Sequence, residues 1–310
     1  MPDLPKPAFV ISTSAPCHQA ERILKDLAEQ QLKIESDKFF TVSIPAHARE
    51  NAVQALAEEL ELSVELMEKA TGHKMEISKL QEACELSNIA REYSDQCNDL
   101  RAKYAGLVKG SELAYHSIIF SPFWGRPELV EMQKTLYEEM LLESEKFQAI
   151  DRPARHKIIF LHLPPFYSNK LLTYIEDHCH ADIIIEETNY TGWKPLNAKK
   201  PYYSLAERLL QMGFINQEER VKAIKNFVNK NNIDGILAYN HGFGRCSMLD
   251  NVFIQALKAE LKTEKQNAPL LIVDGDCLDA SIDPCSTYTK INAFFEALNA
   301  QKFGSVLGLN

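Results

Sequence analysis

Four short apolar runs in the C-terminal half of the chain alternate with segments of helical periodicity. Continuous apolar runs of this length, separated by helices, are typical of parallel strands that are covered on both faces of a sheet. The sequence therefore predicts a parallel α/β sheet in this half. The predicted strands are residues 157–161, 182–185, 234–239 and 270–273, and the predicted helices cover about 168–177, 217–229, 251–261 and 289–299. A further helix is predicted to open at Ser204-Leu-Ala-Glu207, which fits a capping box.

The N-terminal half has a different pattern. Residues 8–45 predict a strand, a helix and a second strand, and about sixty residues of helical character follow, interrupted by Gly72. A mixed segment with a helix over about 127–147 then leads to a linker-like stretch. We therefore divide the chain into a partial N-terminal α/β unit (1–48), a helical connecting region (49–150) and a C-terminal α/β domain (151–310).

The N-terminal unit is too small to complete a doubly wound sheet. Two strands and one helix cannot cover their own apolar surface. We therefore expect either that these elements join another subunit or that the chain lacks the front of its first domain. The side chains concerned are Phe9, Val10, Ile11, Phe40 and Val42. Exposed together, they would form an apolar patch larger than soluble monomers usually tolerate.

Composition excludes several classes of function. The formal net charge of -9 argues against nucleic acid, which is bound by clustered basic surfaces. No apolar run approaches the length that a membrane span needs. The N-terminus lacks the features of a signal peptide, so we expect a cytoplasmic protein with reduced thiols. The seven cysteines are widely spaced, with no Cys-x-x-Cys pair.

Two cysteines follow predicted strands directly. Cys246 lies in Tyr239-Asn-His-Gly-Phe-Gly-Arg-Cys-Ser247, after one apolar run, and Cys17 follows Ala8-Phe-Val-Ile11 and precedes a helix. Open α/β sheets bind their ligands at the carboxyl ends of strands. The two loops suggest two half-sites that face each other, and we expect the two sulfur atoms to approach across a cleft. The alternative is two unrelated free thiols, because free Cys is a common small core residue.

The other strand-end loops of the C-terminal domain also carry polar groups. We expect all of these loops at one edge of the sheet, as binding loops usually are. Cys277 lies on this edge, where a ligand role is open. Cys179, between His178 and His180, lies at the opposite edge, and we expect no metal there. The loops are His162–Tyr167, Glu186–Trp193, Asn240–Cys246 and Asp274–Asp279.

Several stretches, in order, resemble the 2-hydroxyacyl-CoA dehydratase family, which includes the benzoyl-CoA reductase subunits. The similarity spans nearly the whole chain. The stretches are Lys6 to Cys17, Phe40-Thr-Val-Ser-Ile-Pro45, Glu68-Lys-Ala-Thr-Gly-His-Lys-Met75 with Leu80 to Asn88, Asp234-Gly-Ile-Leu with His241 to Cys246, and Asp276-Cys-Leu-Asp279 with Tyr288-Thr-Lys-Ile-Asn-Ala-Phe-Phe-Glu296.

This resemblance implies a flavodoxin-like C-terminal domain and a [4Fe–4S] cluster whose ligands include Cys17 and Cys246. It implies an electron delivered by a separate ATP-hydrolysing activator and passed to a CoA thioester as a ketyl radical anion, either in a dehydratase or in an acyl-CoA reductase. It also implies a sister subunit of the same family. We take His241, Glu187 and Asp276 as candidates for the substrate side of the loops; no catalytic residue is assigned.

The chain departs from the family pattern in places. Such subunits usually begin about a hundred residues earlier, where their first cluster cysteine lies, so only Cys17 and Cys246 have counterparts here. Lys290 stands where the family usually has Arg, and Cys285-Ser-Thr287 replaces a Gly-Gln pair. The alternative function is thus a non-catalytic α/β partner subunit that keeps the fold and the interface without a working cluster.

Overall fold

In a computed structural model of the chain, the N-terminal apolar runs form two parallel strands. Strand β1 (Val10–Thr13) pairs with β2 (Phe39–Val42), with Val10 opposite Phe39. Helix α1 (His18–Asp26), a π-helical turn and a 3-10 turn connect them. The predicted strand, helix and strand are therefore confirmed. The structure describes residues 6–15, 18–45, 51–148, 153, 155–190, 192–241, 244–262, 268–280 and 284–306.

The middle of the chain is helical, as predicted. Gly72 ends the first long helix in a left-handed conformation (φ 72°), and its N–H donates to the carbonyl of Glu68 at 2.9 Å. Glycine adopts this conformation without the strain that a Cβ atom would add. The helices are α2 (Ala52–Thr71), α3 (Ile77–Lys103), α4 (Gly110–Leu113), α5 (His116–Phe120) and α6 (Pro127–Gln148).

The C-terminal apolar runs form one parallel sheet of four strands in the described residues, which confirms the predicted α/β fold. The strand order is β4-β3-β5-β6. The elements are β3 (His156–Leu161), α7 (Lys170–Asp177), β4 (Ala181–Glu186), α8 (Pro201–Gln211), α9 (Gln217–Asn231), β5 (Gly235–His241), α10 (Gly244–Lys262), β6 (Leu270–Gly275) and α11 (Pro284–Val306).

Both faces of this sheet are buried. Alternate residues of β3 point to opposite faces, so Ile159 packs with Phe227 of α9 and Leu257 of α10, while Phe160 packs with Leu172 of α7 and Ile291 of α11. The sheet is therefore the central layer between two layers of helices. None of the helices within the described ranges has the length and apolarity to cross a membrane.

Three predicted helix starts are wrong, and one of them is that of α11, which begins at Pro284 and not at about residue 289. Helix α8 begins at Pro201, a favoured first helical residue, and not at Ser204. The hydroxyl of Ser204 instead accepts the N–H of Asn197 at 2.7 Å, so it caps no helix. Helix α10 begins at Gly244, about seven residues before the predicted start, so Cys246 belongs to its first turn.

The N-terminal unit packs against other parts of its own chain. Val42 is 1% exposed, in a cluster with Leu56 of α2 and with Ala206 and Leu210 of α8. The expectation that the apolar residues of this unit lack cover within the chain is therefore wrong for Val42, because α2 and α8 fold back over the end of β2. It holds for Ile11, which is 45% exposed.

Candidate functional site

The loops that follow the strands of the C-terminal sheet contact one another at its carboxyl edge. The backbone N–H of His162, after β3, donates to the carboxylate of Glu187, after β4, at 2.8 Å. The N–H of Phe166 donates to the carbonyl of Cys277, after β6, at 2.7 Å. The side-chain amide of Asn240, near the end of β5, donates to Asp274 at 3.1 Å. These bonds link all four loops into one surface.

Glu187 lies inside this surface and not on it. Its carboxylate is buried and forms a two-pronged ion pair with Arg220 of α9, with N–O distances of 2.5 and 2.7 Å. The guanidinium of Arg220 lies over the ring of Phe253, 3.8 Å from its centroid, and over that of Phe214. Burial alone would raise the pKa of Glu187, but the charge and hydrogen bonds of Arg220 outweigh it, so the pKa is lowered. The carboxylate therefore stays ionised.

His162 is held beside this ion pair in a left-handed backbone conformation. Its φ is 74°, which is uncommon for a residue other than glycine, and its side chain is 4% exposed. The imidazole meets the ring of Phe214 edge-on at 5.8 Å between centroids. Strained backbone of this kind concentrates at functional sites. The ion pair thus fixes the turn that leads out of β3.

A small cavity lies below the loops. Its volume is about 10 Å³, and its lining includes His162, Arg220, Tyr239 and Asn240. That volume is near the lower limit for one water molecule. This cavity is therefore too small for a substrate.

Asp276, a candidate for the substrate side, shapes its own loop. One carboxylate oxygen accepts the backbone N–H groups of Leu278 at 2.6 Å and Asp279 at 2.9 Å. The backbone carbonyl of Asp276 accepts the hydroxyl of Tyr239 at 3.0 Å. The Asp276 carboxylate is partly exposed. A role in contacting substrate stays a prediction.

The backbone places two more candidates at the same edge. His241 is the last residue of β5, and Cys246 lies in the first turn of α10. Their side chains lie outside what the structure describes, as does Cys17, which directly precedes α1 in the sequence. Helix N-termini stabilise thiolates, the form in which cysteine binds metals. The expected approach of the Cys17 and Cys246 sulfur atoms stays a prediction.

Four cysteines with described surroundings lie in environments that favour the neutral thiol. Burial raises the pKa of Cys97 to about 12 and that of Cys179 to about 11, and it also raises the pKa of Cys84 and Cys277. Within the described ranges, no group of three His, Cys, Asp or Glu side chains could hold a metal ion.

Cys179 and its neighbours lie where the sequence places them. The segment joins α7 to the start of β4, at the amino end of the sheet and away from the carboxyl-edge loops. The sulfur of Cys179 is 4.0 Å from the amide oxygen of Asn292 in α11. The absence of a metal role for this segment stays a prediction.

Sequence reasoning missed two buried arginines. Arg220 shares the buried face of α9 with Ile224 and Phe227, and a cation on an apolar stripe indicates that a buried partner exists without identifying it. Arg101 of α3 pairs with Glu186 at the end of β4, with N–O distances of 2.7 and 2.9 Å, and both side chains are almost fully buried. The polar face of α3 gives no comparable signal for Arg101.

Comparison with known proteins identifies the family. The family model described as 2-hydroxyglutaryl-CoA dehydratase, D-component, matches residues 2–298. No curated protein matches the chain significantly. The match covers the N-terminal unit, the helical region and nearly all of the C-terminal domain. The chain therefore belongs to the 2-hydroxyglutaryl-CoA dehydratase D-component family.

Proposed function

We propose that this chain is the iron–sulfur subunit of a 2-hydroxyacyl-CoA dehydratase, in which Cys17 and Cys246 are ligands of a [4Fe–4S] cluster. The observation that carries the proposal is the family match over residues 2–298. Topology adds support, because Cys246 lies in the first helical turn after β5, at the ligand edge of a parallel sheet.

The proposed cluster would supply one low-potential electron to the carbonyl of a CoA thioester, with thiolate ligation of the ordinary kind. The residues of this chain would position the strand-end loops and protonate the departing group. The Arg220–Glu187 pair holds His162 and the loop after β4 in place. His241, at the end of β5, is the candidate proton donor to the departing 2-hydroxyl group, which leaves as water. Asp276 orders the loop that follows β6.

The proposal includes partners. One is a sister subunit of the same family, which would supply the remaining cluster ligands and close the site above the carboxyl edge. Another is an ATP-hydrolysing activator that donates the electron, since the chain has no Walker A motif of its own. The substrate is a CoA thioester, and the compartment is the cytoplasm. An acyl-CoA reductase of the same family would use the same cluster, sister subunit and activator.

The test is the iron and acid-labile sulfide content of protein purified without oxygen and co-expressed with its sister subunit. We expect iron in the wild type, and its loss in Cys17→Ser and Cys246→Ser. The matched control is Cys179→Ser, at the opposite edge of the sheet, which should retain the wild-type iron content. A folded wild-type complex that binds no iron would contradict the proposal and support the non-catalytic partner subunit instead.

A further inference from the structure

Both tryptophans of the chain lie at one surface corner. The sequence contains two, Trp124 and Trp193, and their ring centroids are 5.4 Å apart. Both are half-buried. Trp193 belongs to the loop between β4 and α8. Trp124 is held by Gly125, whose φ of 84° and lack of a side chain let the backbone pack against Ala83 of α3.

The same corner holds a guanidinium without a carboxylate partner. The guanidinium carbon of Arg208, on α8, lies 5.2 Å from the ring centroid of Trp193. Its Nε is buried without a hydrogen-bond partner, and a terminal nitrogen reaches the carbonyl of Lys194 only at 3.5 Å. Within the described ranges, no carboxylate lies at ion-pairing distance from Arg208, although most buried arginines have one.

A second arginine adds positive charge. Burial lowers the pKa of Arg208 to about 10, and the positive charge of Arg91 on α3 contributes to the shift. The Nε of Arg91 is also buried without a hydrogen-bond partner, while its Nη1 pairs with Asp95 at 2.5 Å and its Nη2 lies 4.0 Å from Glu92. Two cations thus lie near each other in a chain of formal net charge -9. The terminal nitrogens of Arg208, with the long contact to Lys194 at 3.5 Å, supply the donors for an anion, and Arg91 adds positive charge nearby.

Two hydrogen bonds tie the segment that follows Trp193 to α3. The side-chain amide of Asn88, on α3, donates to the carbonyl of Leu196 at 2.8 Å, and its oxygen accepts the N–H of Leu196 at 2.7 Å. This pair of bonds anchors the loop after β4 to α3. Preorganised groups of this kind lose little entropy on binding.

We propose that this Trp–Arg corner, formed by Trp124, Trp193, Arg91 and Arg208, binds the phosphate-bearing adenosine end of a CoA thioester. The guanidinium fork matches phosphate oxygens, and the indole rings offer a face for adenine to stack on. The loop starts at the carboxyl end of β4, so the long arm of CoA can run from the corner toward the strand-end loops. The choice of CoA rests on the proposed function, whereas the choice of a phosphate joined to a flat ring rests on the corner alone.

The test is a titration with adenosine 3′,5′-bisphosphate, followed by tryptophan fluorescence. Because both tryptophans lie in the corner, stacking of adenine should quench the emission saturably. Arg208→Met should weaken binding by about tenfold or more, since a hydrogen bond to a charged group is worth at least that factor. Arg208→Lys, which keeps the charge without the fork, and Trp193→Phe, which keeps a packed ring, should each weaken binding by a smaller factor. The control is Arg22→Met on the exposed surface of α1, which changes the net charge equally and should bind like the wild type.

Several outcomes would overturn the inference. One is the absence of saturable quenching, and another is wild-type affinity in both Arg208→Met and Trp193→Phe. Equal affinity for inorganic phosphate and for the bisphosphate would show a phosphate site that does not read adenine. Iron content separates this inference from the proposed function. Iron-free protein that still binds the bisphosphate refutes only the cluster, and iron-loaded protein that does not bind it refutes only the corner.

Discussion

Two buried glutamates of the C-terminal domain are held in opposite electrostatic environments. Glu187 faces the guanidinium of Arg220, and its pKa is lowered. Within the described residues, no cation pairs with the carboxylate of Glu176; this carboxylate accepts the N–H groups of Gly110 and Ser111 and the Ser111 hydroxyl, and burial raises its pKa. Glu187 thus stabilises the carboxyl edge of the sheet through its charge, whereas Glu176 stabilises the start of α4 by accepting hydrogen bonds.

Removing the charge of Glu187 should destabilise the domain strongly. In Glu187→Gln, the buried Arg220 loses its counter-charge, which costs about 3–5 kcal/mol for a buried pair. Urea unfolding followed by circular dichroism measures the loss. The matched control is Asp99→Asn, because the Asp99–Lys230 pair is similarly short at 2.7 Å but about two-thirds exposed. That change should cost at most about 1 kcal/mol. Equal effects of the two substitutions would contradict the role given to Glu187.

The two glutamates should also differ in their dependence on pH. The stability that ionised Glu187 contributes is present above its ordinary pKa of 4.5 and is lost as pH falls through the lower folded value. The stability advantage of the wild type over Glu187→Gln should therefore shrink in acid. The folded pKa of Glu176 is raised, so its contribution is present below the ordinary value and is lost as pH rises through the folded one. The advantage over Glu176→Gln should shrink toward neutral pH.

Melting temperatures of the three proteins across an acid-to-neutral series measure both trends. Parallel curves for the two variants would show that the two carboxylates share one environment, contrary to the structure. Neither trend was predictable from the sequence, because Glu187 and Arg220 are 33 positions apart and meet only in the folded sheet. The sequence did place Glu187 in a strand-end loop; the cation that neutralises it comes from a helix on one face of the sheet.

At the scale of elements, the strands were predictable to within two residues at each end. Buried parallel strands appear in the sequence as continuous apolar runs, and the ends of each run lie close to the ends of the strand. Helix starts were less predictable. The segment His241 to Cys246 resembles a loop because of its glycines, yet the helix begins at Gly244. The Pro201 signal at the start of α8 was overlooked in favour of Ser204.

The packing between β6 and β5 depends on a residue without a side chain. A Cβ atom at Gly275 would lie 2.2 Å from the hydroxyl oxygen of Tyr239, which donates to the carbonyl of Asp276. Gly275→Ala should displace Tyr239, break that hydrogen bond and cost about 1–3 kcal/mol, as overpacking usually does. Thermal unfolding measures the loss.

Gly72→Ala serves as the comparison for that substitution. The space around Gly72 is open, with no atom within 4 Å of an added Cβ, so only its left-handed conformation is penalised. That penalty is about 1–2 kcal/mol. We expect Gly275→Ala, unlike Gly72→Ala, to alter the near-ultraviolet signal of the tyrosines as well. An unchanged tyrosine signal in Gly275→Ala would show that the clash is relieved elsewhere.

For the whole molecule, the sequence predicted the division between a complete C-terminal sheet and a small N-terminal unit. It did not predict how the two are joined. Val42 of β2 is covered by Leu56 of α2 and by Ala206 of α8, which are far apart in the chain. Such long-range packing leaves no local pattern. The Trp–Arg corner is a second example, since it combines residues from α3, from α8 and from two loops.

Within the described residues, several apolar side chains of the N-terminal unit are exposed. Its described sheet has two strands, and a sheet of that size is marginally stable alone. Ile11 of β1 is 45% exposed, and Ile23 and Leu24 of α1 are 65% and 42% exposed. Another chain can add to an unpaired strand edge or cover exposed apolar side chains. We therefore expect a sister subunit, or a second copy, to pack on this unit and bring its own half of the site toward Cys17.

Light scattering of the protein, with the sister subunit co-expressed and then omitted, tests this assembly. The wild type should have the mass of a complex, and Ile23→Glu should weaken the association because it places a charge in the contact. Ile119→Glu is the control, since Ile119 is 60% exposed but belongs to α5 of the helical region and not to the N-terminal unit. A folded wild-type monomer that ignores the sister subunit would refute the assembly. It would also weaken the proposed enzyme function, because a cluster ligated by two cysteines of this chain needs further donors from elsewhere.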